Sequence, residues 1–212
     1  MPSTLRLHFE DHVARLQFTQ SDGYPRLSTA LLDELAAHLQ RLLADPACHG
    51  LVLHGSESCF AAGAEITEVG ALTGIAAFEF ARRSQLLFDR IARAPKPVIA
   101  AVAGYCLGGG IDLALACHFR LAAPDAVFGH PGATLGLLTG WGGTQRLPQL
   151  LGRARALELL LPGHTIDAAE AFRLGVVDEI VPAGALLRRA TDRARTNACA
   201  GDARFSLPPE KA

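Results

Sequence analysis

The chain has 212 residues, half of them hydrophobic, and its 20 lysines and arginines nearly balance its 21 aspartates and glutamates. This length allows one large domain with a sizeable core, and the apolar fraction excludes global disorder. A net charge of −1 excludes the broad basic surface that recruits nucleic acid, so we expect no nucleic-acid partner.

The first half of the chain alternates between strand patterns and helical patterns. Apolar residues recur at every second position in two short segments, which predicts a β-hairpin. Further on, Ser28 or Thr29 can cap a helix whose leucines keep helical spacing. In chain order we predict strands at 5–9 and 13–18, a helix from about 29 to 43, a strand at 50–55, and a helix at 75–93 that Pro95 ends.

The second half begins with another buried strand and continues with helices. The alternation of apolar strands and helices favours an α/β architecture in one domain, with a sheet covered on both faces. We predict strands at 98–102, 119–122, 126–128 and 177–181, and helices at 111–117, 143–151, 153–161, 167–174 and from Leu186 onward.

Cysteine usage and the lack of long apolar segments indicate the compartment. The cysteines are odd in number and never in C-x-x-C spacing, which favours reduced thiols over a disulfide framework or a zinc site. No apolar run reaches about 18 residues, and the amino-terminal residues lack a signal-peptide pattern. We therefore expect a cytoplasmic protein that binds no membrane. The cysteines are Cys48, Cys59, Cys106, Cys117 and Cys199.

Two glycine-rich segments, 59–66 and 103–112, each follow a predicted strand. Small residues let a ligand approach backbone N–H groups, and a helix that begins near Gly109 presents its positive end there. Two N–H donors from separate loops that converge on one oxygen would form an oxyanion hole. A tight strand-to-helix turn also requires such glycines, so the pattern alone leaves both interpretations open.

The common glycine-based and metal-based motifs are absent from the sequence. There is no G-x-G-x-x-G dinucleotide fingerprint, no Walker lysine, no G-x-S-x-G nucleophile elbow and no H-E-x-x-H motif. We therefore expect no metal site and no nucleotide cofactor bound through these motifs.

Three segments together resemble the enoyl-CoA hydratase/isomerase (crotonase) superfamily. They are residues 60–66 (FAAGAEI), 95–110 (PKPVIAAVAGYCLGGG) and 140–148 (GWGGTQRLP), and they lie in the order and spacing of that family. The resemblance implies a crotonase-like spiral of ββα units that acts on acyl-CoA thioesters and assembles as a homotrimer or hexamer. It implies an acyl-CoA-binding core over 1–182, and a shortened C-terminal helix with a polar tail over 183–212.

The same resemblance assigns roles to individual residues. Ala64 and Gly109 match the two oxyanion-hole donors, and Ala62, Ala64 and Ile66 match the stretch that lines coenzyme A. Asp112 matches the first of the family's two catalytic glutamates, and the second falls on a glycine, Gly132. We further expect that a valine at Gly109 abolishes turnover with little loss of folding.

The missing second carboxylate leaves two nearby residues to interpret. If residues 128–132 are extended, as Pro131 favours for its predecessor, His130 shares a face with Gly132. His130 is then a candidate catalytic residue, or else only a packed histidine. Trp141 stands where the family has a small residue, so it either shortens the acyl pocket or packs in the core.

The resulting functional hypothesis is an enzyme on acyl-CoA thioesters of the hydratase/isomerase type, with Asp112 as its single acid/base carboxylate. Coenzyme A enters as part of the substrate, and no separate cofactor is expected. The alternatives are a CoA-thioester isomerase, hydrolase or decarboxylase, and a relative that binds acyl-CoA without catalysis.

Overall fold

The computed structural model describes residues 2–196, which form two β-sheets with helices around them. The strands are β1 (Thr4–Glu10), β2 (Val13–Thr19), β3 (Gly50–His54), β4 (Cys59–Ala61), β5 (Val98–Val102), β6 (Tyr105–Leu107), β7 (Phe119–Ala122), β8 (Val127–Gly129), β9 (Thr165–Asp167) and β10 (Glu179–Ile180). The helices are α1 (Thr29–Ala44), α2 (Ile66–Gly70), α3 (Gly74–Ala92), α4 (Gly109–Ala116), α5 (Gly143–Leu151), α6 (Arg153–Leu160), α7 (Ala168–Arg173) and α8 (Ala183–Arg195), and a 3₁₀ helix spans Pro131–Leu135.

Successive strands alternate between the two sheets. The larger sheet has the order β1-β2-β3-β5-β7-β10, antiparallel only between β1 and β2, and the smaller one has the order β4-β6-β8-β9. Each of the pairs β3–β4, β5–β6 and β7–β8 therefore gives one strand to each sheet. This repeated step confirms the predicted α/β spiral of ββα units.

The larger sheet is buried on both faces, as its continuous apolar strands predict. One face packs on the main core, which includes the leucines of α1. The other face packs on α8, where Leu186, Ala190 and Ala194 contact the strands. A Cβ at Gly50 would lie 2.3 Å from the Ala194 carbonyl oxygen, so α8 rests directly on the backbone of β3. The polar tail lies outside the described residues.

The long elements agree with the sequence prediction. Ser28 is the N-cap of α1, and its hydroxyl accepts a hydrogen bond from the Leu31 N–H at 3.2 Å. The long helix α3 ends three residues before Pro95. The three-residue strands β4, β6 and β9 were not predicted, because so short a segment shows no periodicity.

One local prediction, the extended conformation of 128–132, is wrong. The strand β8 ends at Gly129, and Pro131 is the first residue of the 3₁₀ helix. Proline suits that position because its φ is already helical and its missing N–H would have no partner there. Only His130 itself keeps the extended φ of −120° that a following proline favours.

Candidate active site

The two glycine-rich segments meet beside the smaller sheet. The strands β4 and β6 are parallel neighbours, so the loops that leave their carboxyl ends lie at the same edge. A Cβ at Gly63 would lie 3.2 Å from the Leu107 carbonyl oxygen and 3.5 Å from the Gly109 nitrogen. The segment 62–64 therefore passes directly against the turn that begins α4.

The geometry leaves the amides of Ala64 and Gly109 as candidate donors. Gly109 is the first residue of α4, so its N–H has no acceptor within the helix. Ala64 forms a parallel bridge with Leu27, in which the Leu27 N–H donates to the Gly63 carbonyl at 2.8 Å. In that pattern the N–H of Ala64 itself points away from Leu27.

The other two residues assigned to coenzyme A binding lie on the same segment. Ala62 is half-buried, and its N–H is already used by the Pro25 carbonyl at 2.8 Å. Ile66 is 52% exposed at the start of α2. Ala62 can therefore offer a ligand only its side chain and carbonyl, whereas Ile66 offers an apolar surface.

Asp112 lies one turn into α4 and is completely buried. The Thr139 hydroxyl donates a hydrogen bond to its Oδ2, and the backbone amide of Trp141 lies close enough to lower the pKa of the carboxyl group. The other oxygen, Oδ1, has no hydrogen-bond partner among the described residues. It lies 3.5 Å from His130 Nε2, which likewise has none there. Two unpaired polar atoms thus face each other in the interior.

Burial moves the pKa values of these two groups in opposite directions. It raises the pKa of Asp112 to about 7, against the lowering effects of the Thr139 hydrogen bond, the Arg146 charge and the Trp141 amide. Burial also lowers the pKa of His130 to about 4. Between about pH 4 and 7 both groups are neutral and the proton is on Asp112. A carboxyl group that titrates near neutral pH suits acid/base work.

Two residues that the sequence analysis missed shape this carboxylate site. Thr139 binds Oδ2 of Asp112, and Gly143 makes room for the carboxylate, since a Cβ there would lie 2.2 Å from Oδ1. Gly143 stands within the segment 140–148 that carries the family resemblance, but Thr139 lies just outside it. No pattern in the sequence pairs Thr139 with a residue 27 positions away.

Trp141 both packs in the core and borders the glycine turn. Its side chain is 4% exposed, and its ring lies 5.4 Å from that of Phe80 and 5.8 Å from that of Phe88, centroid to centroid. A Cβ at Gly109 would lie 2.2 Å from the indole Cζ3. The expectation that a valine at Gly109 leaves folding intact is therefore wrong, because the indole already fills that space.

Arg146 holds the loop that carries Trp141. It is 3% exposed and donates to the Trp141 carbonyl at 3.2 Å and to Asp89 at 2.5 Å. Asp89 belongs to α3, so this buried ion pair ties α3 to α5 beside the carboxylate site. Its place in the fold indicates a structural role.

Residues 2–196 contain no cluster of three or more histidine, cysteine or carboxylate side chains that could hold a metal ion. Within the same range, no helix combines the length and the apolar character needed to cross a bilayer.

Comparison with known proteins places these features in a family context. Residues 8–206 match the family model described as "Enoyl-CoA hydratase/isomerase". A probable enoyl-CoA hydratase of Rhizobium meliloti is 39% identical over 207 residues, which are 97% of this chain and 77% of that protein. Its counterpart in Bacillus subtilis is 45% identical over 152 residues, 71% of this chain and 59% of the relative.

Solved structures agree with the sequence matches. The enoyl-CoA hydratase from Bacillus anthracis superimposes with a TM-score of 0.85 at 34% identity, over 92% of this chain and 76% of that one. Pseudomonas aeruginosa DspI gives a TM-score of 0.86 at 31% identity, over 92% and 80% of the two chains.

Proposed function

The chain belongs to the enoyl-CoA hydratase/isomerase family, and on that premise we propose that it catalyses acid/base chemistry on acyl-CoA thioesters through the single carboxylate of Asp112. One observation carries the proposal: an oxygen of the buried Asp112 carboxyl group that has no hydrogen-bond partner among residues 2–196 lies one helical turn from the amide of Gly109. Coenzyme A enters as part of the substrate, and no further cofactor is required.

The backbone amides would stabilise the charge that the reaction creates. When a proton leaves C2, or a nucleophile adds at C3, negative charge moves onto the thioester oxygen. The N–H groups of Ala64 and Gly109 would both donate to this oxygen, and each such donor is worth about 2.7–4 kcal/mol. Ala62 and Ile66 would line the coenzyme A moiety on the same segment.

Hydration with one carboxylate proceeds in two proton transfers. Ionised Asp112 accepts a proton from water as the water oxygen bonds to C3, and the C2=C3 electron pair moves into the thioester to form the enolate. The carboxylic acid then returns that proton to C2, so one water molecule has been added across the double bond. The pKa of Asp112 near 7 suits a group that must both take and give a proton.

Isomerisation is the second candidate, and the glycine at position 132 favours it. Gly132 offers no side chain to a second proton transfer. Moving the double bond of a β,γ-unsaturated thioester into conjugation requires only that one group take a proton from C2 and return it to C4, so Asp112 suffices and no water must be activated. Hydrolysis, decarboxylation and binding without turnover remain further alternatives.

His130 would act through Asp112 rather than on the substrate. Its Nε2 faces Oδ1 of Asp112 at 3.5 Å, and at neutral pH the ring is uncharged because its pKa is about 4. A neutral imidazole can hold the carboxyl group in place without pairing its charge permanently. We therefore propose His130 as a positioning residue.

The direct test offers the protein crotonyl-CoA and a β,γ-unsaturated hexenoyl-CoA while the absorbance of the conjugated thioester is followed. Loss of that absorbance from crotonyl-CoA indicates hydration, and its appearance from the hexenoyl thioester indicates isomerisation. Calorimetry with butyryl-CoA and with free butyrate is the companion measurement. We expect micromolar to sub-millimolar affinity for the thioester only, and equal affinity for both compounds would contradict the proposal. Binding without turnover of any thioester would favour the non-catalytic alternative.

Removing the Thr139 hydroxyl should shift the pH dependence of the rate. The hydrogen bond from Thr139 lowers the pKa of Asp112, so Thr139→Val should raise that pKa further above its present value of about 7. The alkaline plateau of the rate should then be reached at a pH about 1–2 units higher, since a hydrogen bond to a charged group is worth roughly 1.5–3 kcal/mol. Rate–pH profiles measure this shift.

A matched control lies in the same segment. The exposed Thr134 hydroxyl donates only to the Pro131 carbonyl, at 2.7 Å, so Thr134→Val should leave the profile unchanged. Thr139→Ser keeps the hydroxyl, so its rate should depend on pH as the wild-type rate does. An unshifted profile in folded Thr139→Val would show that Thr139 does not set the titration.

We also propose that the chain assembles as a homotrimer or hexamer and works in the cytoplasm. Large apolar side chains exposed on α3 and after β8 support association, among them Ile75, Phe78, Leu135 and Leu138. The cytoplasmic assignment is supported by the buried, unpaired thiols of Cys48, Cys59, Cys106 and Cys117.

A further inference from the structure

A cavity of about 370 Å³ lies between α1 and α3, and the Phe80 side chain that lines it contacts the Trp141 ring. Its walls are largely apolar, and include Leu32, Ala36, Leu72, Ala76, Phe80 and Leu87. The ion pair between Arg83 and Asp33, at 2.5 Å, lies at the same cavity. Neither the carboxylate of Asp112 nor the glycine turn lines this space.

Two aromatic side chains in contact, Phe80 and Trp141, connect the cavity to the site. Phe80 lines the cavity and contacts the Trp141 ring at 5.4 Å between centroids. The same indole lies against Gly109, where an added Cβ would approach Cζ3 to 2.2 Å. A chain of contacts therefore runs from the glycine turn to the indole, from the indole to the Phe80 ring, and from that ring to the cavity.

The backbone of Trp141 also lies beside the Asp112 carboxyl group. Its amide lowers the pKa of the Asp112 carboxyl group, so Trp141 lies beside the group that would move the proton. Phe88 packs edge-on against the indole, and Arg146 binds the Trp141 carbonyl. Contacts on several sides therefore hold the ring in place, and moving the indole would break them.

We infer that Trp141 determines acyl-chain length: its indole closes the site towards the α1–α3 cavity, so the protein accepts short acyl groups and excludes long ones. This inference rests on the proposed function, because it concerns the acyl end of the same site. The cavity is lined mainly by apolar side chains, and it becomes available to a longer chain only when the indole is cut back or when loss of the Phe80 ring leaves the indole room to turn away.

The test measures affinity against chain length by calorimetry, with butyryl-, hexanoyl-, octanoyl- and decanoyl-CoA. For the wild type we expect affinity to stop rising, or to fall, beyond the shortest members. In Trp141→Ala and in Phe80→Ala, each added methylene should improve affinity about fourfold until the cavity is full, which corresponds to about 0.8 kcal/mol per buried CH₂. Binding is measured independently of turnover.

The controls separate opening of the wall from loss of packing. Phe88→Leu removes another aromatic contact of Trp141, but Phe88 is not itself one of the residues that line the cavity, so the chain-length profile of this variant should match the wild type. Trp141→Ala leaves a large void in the core, so two milder variants accompany it: Trp141→Leu, and Phe80→Ala at a half-buried position. Thermal unfolding confirms that each variant is folded.

The outcomes distinguish this inference from the proposed function. The role of Trp141 in chain length would be overturned if the wild type gained affinity with every added methylene. It would also be overturned if folded Trp141 and Phe80 variants kept the wild-type profile, and the proposed function would stand in both cases. Failure of every acyl-CoA to bind would overturn the proposed function, and the inference with it.

Discussion

Asp112→Asn should lower kcat by about 10²–10⁴-fold with any thioester that the protein turns over, which is the range expected for losing a general acid/base group. The amide keeps the size of the side chain and can still accept from the Thr139 hydroxyl, so the affinity for butyryl-CoA should change little. Initial rates and calorimetry on the two proteins measure these effects. Asp125→Asn, which alters an exposed carboxylate in a turn, is the matched control.

The same substitution should change how stability depends on pH. The pKa of Asp112 is about 7 in the folded protein, above its ordinary value of 3.8, so folding favours the protonated form. Wild-type stability is therefore lost as pH rises from about 4 to 7, whereas asparagine does not titrate. The unfolding free energy of Asp112→Asn relative to wild type should rise by about 1–4 kcal/mol between pH 5 and pH 8.

One pattern of results would show that the base is assigned to the wrong residue. It is an active wild type, full activity in Asp112→Asn, and no activity in His130→Ala. The buried pair would still be the site, but the imidazole and not the carboxylate would carry the proton.

Gly109→Val should abolish turnover and also weaken the fold. Losing the geometry of one oxyanion donor costs on the order of 10²–10³ in rate. The added Cβ would lie 2.2 Å from Cζ3 and 2.3 Å from Cε3 of the buried Trp141 ring, and such overpacking costs about 1–3 kcal/mol. Rates and thermal unfolding of the purified variant measure both effects.

A second glycine provides the control for that variant. A Cβ at Gly184, in the first turn of α8, meets no atom within 4 Å, so Gly184→Val should leave both rate and unfolding almost unchanged. Trp141→Ala removes the obstructing ring, so Gly109→Ala should cost less stability in the Trp141→Ala background than it costs in the wild type. A folded Gly109→Val with wild-type turnover would mean that Gly109 serves only the turn.

The sequence predicts the parts of the fold that periodicity and capping control. The buried strand at 98–102 and the long helix before Pro95 follow from apolar runs and a helix-breaking residue, and the structure has both. The three-residue strands β4 and β6 could not be predicted, because their pairing depends on neighbours more than 40 residues away in the chain. Prediction of local conformation fails where one residue suits two conformations, as Pro131 does.

Some features of the candidate site can also be predicted from the sequence, and others cannot. The glycine turns can be located because close approach of the backbone demands small residues, and the structure brings Gly63 against Gly109. The Thr139–Asp112 hydrogen bond and the Trp141–Phe80 contact are tertiary. Neither has a signature at fixed spacing, so only the structure reveals them.

The measurement that tests the account most directly is a crystal structure of the protein with butyryl-CoA. We expect the thioester oxygen to lie 2.7–3.1 Å from both the Ala64 and the Gly109 nitrogens, the geometry of an oxyanion hole. Oδ1 of Asp112 should face C2 and C3 of the acyl group, and the indole of Trp141 should close the acyl end. A thioester oxygen bound away from both amides, with Asp112 turned from the acyl carbons, would contradict the account.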